Sequence, residues 1–145
     1  MNVVKKMKEV NAVVGGEGGG GIIYPDLHYG RDALVGIALF LSLLVRKGTS
    51  VSNLKENYPR YYMKKLKMSL DNSRLIDQVF EKIINKYSDL SPNTEDGVRI
   101  DFDNGWVHMR KSNTEPIVRI FSESDSQSKA DKIALEIKNE INSLI

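Results

Sequence analysis

The sequence predicts an α+β fold: an antiparallel sheet with helices on one face, preceded by the end of an α/β domain. Three observations predict it. Strand-like segments with a period of two surround the turn Asp103-Asn104-Gly105-Trp106. Two segments with helical spacing, 73–87 and 126–141, bracket those strands. A long apolar helix behind a glycine-rich hairpin occupies the first 50 residues.

Val3 to Val10 reads as a short helix. Ala12-Val13-Val14 and Ile22-Ile23-Tyr24 read as two strands joined by a hairpin loop, Gly15-Gly16-Glu17-Gly18-Gly19-Gly20-Gly21. From Arg31 to Lys47 the pattern is apolar nearly all round, as in a buried helix. Asp32 suits its first turn, Arg46 and Lys47 its last, and Gly48 its C′ position. Two short strands are too little to cover such a helix on both sides. Residues 1–50 therefore read as the end of a larger α/β domain.

Residues 51–145 read as the second domain. Ser52 to Tyr58 predicts a short helix and Tyr61 to Leu70 a strand. Ser73 suits an N-cap. Leu75, Ile76, Val79, Phe80, Ile83, Ile84 and Tyr87 then recur at helical spacing. Asn-Gly predicts a type I′ turn, with Asp103 opposite Trp106, Phe102 opposite Val107 and Ile100 opposite Met109. Val98, Ile100, Phe102, Val107 and Met109 then share the core face. Arg99, Asp101, Trp106, His108 and Arg110 share the other. Pro116 to Phe121 predicts a strand, and a last helix starts near Ser126 or Ser128. The order is β-α-β-β-β-α, whose two helices cover one sheet face.

The 145 residues carry a formal charge of +2, two histidines and no cysteine. Disulfide and thiol chemistry are excluded, and a reducing cytoplasm suits the composition. A His/Cys metal site is not expected. A strong basic stripe for nucleic acid is absent. The apolar run Ala33 to Val45 falls short of the roughly 20 residues that span a bilayer. No membrane partner is expected.

The candidate site is Arg110-Lys111-Ser112-Asn113-Thr114-Glu115-Pro116, with Arg119 beyond it. A guanidinium presents a fork of donors that matches a phosphate. The hydroxyls of Ser112 and Thr114, with turn N–H groups, can take further oxygens. Asn113 tolerates left-handed angles. Val118 and Ile120 return to the core, which turns Arg119 to the polar face. Two arginines and a Ser/Thr loop at one rim point to an anionic partner. Upstream, Glu17 is an acid in a glycine loop that lets a ligand approach the backbone, and a carboxylate there can accept hydrogen bonds from a diol.

Together, Gly16-Glu17-Gly18-Gly19-Gly20-Gly21 before Ile22-Ile23-Tyr24, and Arg110 to Pro116, resemble two loops of the α-D-phosphohexomutases. That four-domain family includes phosphomannomutase/phosphoglucomutase and phosphoglucosamine mutase. The first loop resembles the sugar-recognition loop of the third domain. The second resembles the phosphate-binding loop of the fourth, whose fold is TATA-binding-protein-like. The resemblance implies that Glu17 binds sugar hydroxyls. It implies that Arg110, Ser112, Asn113 and Thr114 hold the phosphate on the non-reacting end of a hexose or hexosamine phosphate, with Arg119, placed by strand geometry, in support. Many members carry Ser and His where this chain has Gly19 and Gly21, so sugar preference does not transfer.

The family's phosphoserine loop and its Asp-x-Asp-x-Asp magnesium loop are not found in this sequence. The resemblance thus implies a C-terminal fragment of a phosphomutase, with no catalytic or metal-ligating residue and no cofactor of its own. Magnesium and the N-terminal domains are implied for the parent enzyme. Exposed strand edges in the first half lead to an expectation of self-association. A non-catalytic sugar-phosphate binding module is the alternative. A nucleic-acid binder is the weaker one, because Asp101 and Asp103 share the face of Trp106 and His108 and repel phosphates.

Overall fold

The structure, a computed structural model, describes residues 2–69, 73–112 and 114–145. It divides into two compact units, Met1–Tyr58 and Pro59–Ile145. Among the described residues no helix is long and apolar enough to cross a membrane.

The first unit starts with α1 (Asn2–Glu9), followed by a three-stranded antiparallel sheet. Its strands are β1 (Gly15–Gly16), β2 (Ile22–Tyr24) and β3 (His28–Arg31), in that order. The expected strand at Ala12-Val13-Val14 does not form. Asn11 takes a positive φ of 50° and the Ala12 N–H returns to the Met7 carbonyl, so these residues close the helix end instead. Pairing begins at Gly15, opposite Ile23. Gly15 lies tightly against the Met7 side chain, which would have to shift to admit a Cβ there. β3 was not expected; a turn closed by Leu27 N–H to Tyr24 C=O brings it back against β2.

The apolar helix α2 (Ala33–Lys47) has the predicted punctuation. Asp32 caps it by accepting from the Val35 N–H at 2.9 Å, and Gly48 ends it at φ 57°. Gly36 seats it on Ile22, whose side chain would lie 3.0 Å from a Cβ. Contrary to the buried helix expected, no side chain of α2 is buried. Its sheet partner has only three short strands, and Leu34 and Val45 remain 78% and 82% exposed. The short helix α3 (Val51–Glu56) is capped by the Ser50 hydroxyl.

The second unit has the predicted order β4 (Tyr62–Ser69), α4 (Ser73–Lys86), β5 (Val98–Phe102), β6 (Gly105–Lys111), β7 (Ile117–Ser124) and α5 (Gln127–Leu144). A single 3₁₀ turn, Ser88–Leu90, follows α4. Ser73 is the first residue of α4; the side chain expected to cap it lies outside the described residues. The sheet is antiparallel in the order β4-β7-β6-β5. β7 runs three residues past the expected Phe121, and its burial alternates strictly along its length.

Met68, Val98, Ile100, Val107, Met109, Val118 and Ile120 point to one face. Ile76, Val79, Phe80 and Ile83 of α4 and Ile137 and Ile141 of α5 cover them. Each large side chain so enclosed stabilises the fold by about 1.5–3 kcal/mol. Ser122 is also buried, and its hydroxyl is satisfied by donating to the Ala130 carbonyl at 2.7 Å. Among the described residues, no helix of this unit covers the opposite sheet face.

The β5–β6 hairpin departs from its expected register. Phe102 pairs with Gly105, Asp101 with Trp106 and Ile100 with Val107. The turn is therefore Asp103-Asn104, and Asn104 does not take the positive φ that type I′ requires. Gly105 serves the sheet rather than the turn. Its φ is 155°, and a Cβ would lie 2.2 Å from the Glu123 carbonyl oxygen of β7. The Ser124 hydroxyl, in turn, donates to the Asn104 carbonyl. The shift is two residues, so every side chain keeps its predicted face.

Tyr87 joins α4 to α5. Burial, then the hydrogen bond it donates to Glu140 (3.0 Å), push its phenol up to about 12. An unfolded tyrosine ionises near pH 10, about two units lower. The folded state therefore holds the proton more tightly. The corresponding stability is complete below about pH 10 and is lost as pH rises toward about 12. Chemical denaturation should show a shallower loss over this window in Tyr87→Phe than in the native chain. Parallel pH profiles would count against the assignment.

Candidate functional site

Register on the open sheet face builds the site. Arg110 of β6 is the direct partner of Arg119 on β7, and Arg119 is the direct partner of Lys67 on β4. Adjacent strands lie about 4.7–4.9 Å apart. Three cations thus sit at one level across three strands. Like charges placed directly opposite destabilise a sheet, so the level calls for anions.

Two carboxylates answer part of that demand. Asp96 accepts from Arg110 at 2.9 Å, and Glu115 accepts from Arg119 at 3.2 Å. Gly97, at φ 82°, admits Asp96 to this place, because a Cβ would stand 2.2 Å from the Met109 carbonyl. Lys111 pairs with Asp77 of α4. A cavity of about 390 Å³ opens beside this end of β6, bordered by Asp77, Asp96, Gly97, Arg110 and Lys111.

The loop between β6 and β7 holds the hydroxyls. The Ser112 N–H donates to the Ile117 carbonyl at 2.9 Å, and the Ile117 N–H to Glu115 at 2.8 Å. These bonds fold the loop back over the strand ends. The Ser112 hydroxyl lies 3.5 Å from both Arg119 Nη2 and Thr114 Oγ1. Arg119 Nε is buried beside the loop and, among the described residues, has no hydrogen-bond partner, so this donor is left for another acceptor. The structure thus brings Arg110, Ser112, Thr114 and Arg119 to one rim. Asn113 lies outside the described residues.

Further along the face the charges are mixed. Arg99 bonds Asp101 at 2.7 Å and lies over the Trp106 ring at 4.6 Å. The Arg99 hydrogen bond holds the Asp101 carboxyl below its usual range. Trp106 donates to Glu123 at 3.1 Å, and His108 Nε2 lies 2.5 Å from the Asp96 carbonyl. These partners consume the cation and the aromatic edge inside the sheet.

Glu17 belongs to the first unit and is described in that frame. Its N–H donates to Gly21, and the Gly20 N–H returns to Glu17, both at 2.9 Å. Gly20 takes φ 89° to close this loop. The carboxylate accepts from Arg31 Nη1 at 3.2 Å. Arg31 also crosses Gly21, where a Cβ would come within 2.7 Å of its Cδ. Nothing lies within 4 Å of a Cβ at Gly19. Of the two glycines that depart from the family pattern, one is crowded by Arg31 and the other faces open space.

Reading the sequence missed Lys67, Asp96 and Arg31. The alternation Lys65-Leu66-Lys67 marks an open-face lysine, but its level opposite Arg119 needs the β4–β7 register. Asp96 and Arg31 are brought in by chain reversals that no local pattern announces.

The second unit is thus an α+β fold that presents paired arginines and a Ser/Thr loop at one sheet rim. The family description "Phosphoglucomutase/phosphomannomutase, C-terminal domain" matches residues 64–140. The alpha/beta/alpha domain III of the same family matches residues 1–61. The chain belongs to the phosphoglucomutase/phosphomannomutase family. A phosphoglucosamine/phosphogalactosamine mutase of Sulfurisphaera tokodaii is 35% identical over 140 residues, covering 95% of this chain and 31% of that protein. A phosphoglucomutase/phosphomannomutase of Thermococcus kodakarensis is 37% identical over 134 residues, covering 88% and 28%. The crystal structure of a phosphoglucomutase/phosphomannomutase family protein from Burkholderia thailandensis superposes with a TM-score of 0.75 at 26% identity, covering 98% of this chain and 30% of that one. The chain spans about a third of the length of these relatives.

Proposed function

We propose that these residues supply the sugar- and distal-phosphate-binding part of a phosphohexomutase acting on a hexose or hexosamine phosphate. The observation that carries this is the direct pairing of Arg110 with Arg119 at the rim, beneath the Ser112 and Thr114 hydroxyls. In this reading the second unit binds the phosphate that is not reacting, and Asn113 completes the loop. Glu17 of the first unit accepts hydrogen bonds from sugar hydroxyls once Arg31 yields it.

The clamp works by exchange. Asp96 and Glu115 neutralise the two guanidiniums without a ligand. A phosphate dianion offers more charge and a better match to the fork geometry, and displaces them. Each charge-assisted hydrogen bond contributes about 1.5–3 kcal/mol. Binding energy gained at this remote end orients the reacting hydroxyl in a complete enzyme. In this reading the Ser112 and Thr114 hydroxyls donate to the phosphate, so the clamp holds a phosphoryl group rather than transferring it.

Among the described residues no group of three or more His, Cys, Asp or Glu side chains can hold a metal ion. The donors here do not fit the magnesium implied for the whole enzyme, and no step of this binding role passes through it. The mixed charges further along the open sheet face favour a small anion at the rim over a nucleic-acid backbone, which needs a continuous basic surface.

Calorimetry with inorganic phosphate should detect weak binding to the 145-residue chain, and Arg110→Ala should reduce it at least about tenfold, the lower end of a charged hydrogen bond's worth. Identical binding by the variant would sink the site. The purified chain should not turn over a hexose 1-phosphate, and measurable turnover would place catalytic groups within these residues. The exposed apolar side chains of α2 and the edge strand β3, exposed at every residue, support self-association of the chain. Sedimentation velocity should show a species larger than the monomer at high concentration; a strictly monomeric profile would refute this.

A further inference from the structure

Lys67 is absent from the phosphate loop, yet the sheet delivers it to the same place. β4 has three lysines, and two of them are engaged. Lys64 points to the helix side and pairs with Asp131 of α5 at 3.2 Å. Lys65 stands opposite Phe121, with its ammonium 5.9 Å from the ring centre. Lys67 stands opposite Arg119 and is exposed. Among the described residues it has no ion pair or hydrogen bond.

Its setting is electrostatically unfavourable. Arg119 has a cation directly opposite on each side, Arg110 and Lys67. Asp96 serves the first arginine and Glu115 the second. Among the described residues the third cation has no carboxylate of its own, and Arg119 Nε has no hydrogen-bond partner. A bare lysine opposite an arginine costs stability in the empty protein.

We infer that Lys67 is a third arm of the phosphate clamp, contacting the bound dianion from the β4 side while Arg110 contacts it from the β6 side. The inference rests on the reading of the Arg110 loop as a phosphate site. A guanidinium fork fixes orientation, whereas an ammonium on a flexible four-carbon stem supplies charge from a distance. The ligand class is a phosphate monoester dianion, whose double negative charge a third cation balances beside the two forks and the loop hydroxyls.

A plainer account exists. β4 is an edge strand, and edges are commonly blunted with lysines to prevent pairing with another chain. That account treats Lys65 and Lys67 alike, because both point outward from the same strand. The clamp separates them by level: one lies beside a phenyl ring, the other beside Arg119.

The test is titration of the 145-residue chain with inorganic phosphate at low ionic strength. Lys67→Met should weaken binding roughly five- to tenfold, as one partly exposed charged contact implies. Lys67→Arg should restore binding to within about twofold, and Lys65→Met should stay within about twofold of the native chain. The melting midpoint of Lys67→Met without phosphate should be unchanged or raised, since a like-charge contact is relieved. If Lys67→Met binds as the native chain does while Arg110→Ala loses binding, the inference falls and the site stands. Equal weakening by Lys65→Met and Lys67→Met overturns it in favour of edge lysines. A binding loss with a lowered midpoint and no rescue by Lys67→Arg also counts against it. If Arg110→Ala leaves phosphate binding intact, the site and the inference fall together.

Discussion

The second unit depends on the antiparallel register of β4, β7 and β6. One alignment does two jobs. On the lower face it brings Met68, Val118 and Met109, with their neighbours, under α4 and α5. On the upper face it brings Lys67, Arg119 and Arg110 to one level. A slip of one residue would bury the cations and expose the core together. The energy of the apolar face therefore holds the cationic face in place. Burial of several aliphatic side chains at about 1.5–3 kcal/mol each outweighs a like-charge repulsion that is small at an exposed surface.

The same parity explains why an error in the turn left the faces intact. Asn-Gly favours type I′ locally, but Gly105 is committed to close approach with the Glu123 carbonyl. Cross-strand packing against β7 overrode the two-residue preference and moved the turn to Asp103-Asn104. Val98, Ile100, Val107 and Met109 stayed in the core because the displacement was even. The site follows the same logic. Arg110 and Arg119 were legible as open-face residues from alternation, and Ser112 and Thr114 from the loop composition. Asp96 was not, because it arrives through the glycine turn at Gly97 from a segment with no period.

The first unit shows the opposite balance. Its caps were legible: Asp32 and Gly48 bound α2 as their chemistry requires. Its burial was not. An apolar pattern states that a helix has partners to find, and α2 finds in these residues only the short sheet against which Gly36 packs. The glycine loop likewise announced close backbone approach. That Arg31 would cross Gly21 and occupy Glu17 needed the turn at Tyr24–Leu27, which returns β3 along β2.

By itself the sequence determined the class of fold, the order of elements in the second unit, the faces of its hairpin residues and the pair of loops that resemble the family's. Those features are local or periodic: hydrophobic spacing, turn residues, caps and short motifs lie within a few residues of one another. Tertiary structure decided which side chains share a level across strands and which carboxylates neutralise the arginines. Those facts depend on which segments pair and in what register, whether near in the chain, as Arg110 and Arg119 are, or far apart, as Lys67 and Arg119 are; side-chain packing sets that register and periodicity leaves it open.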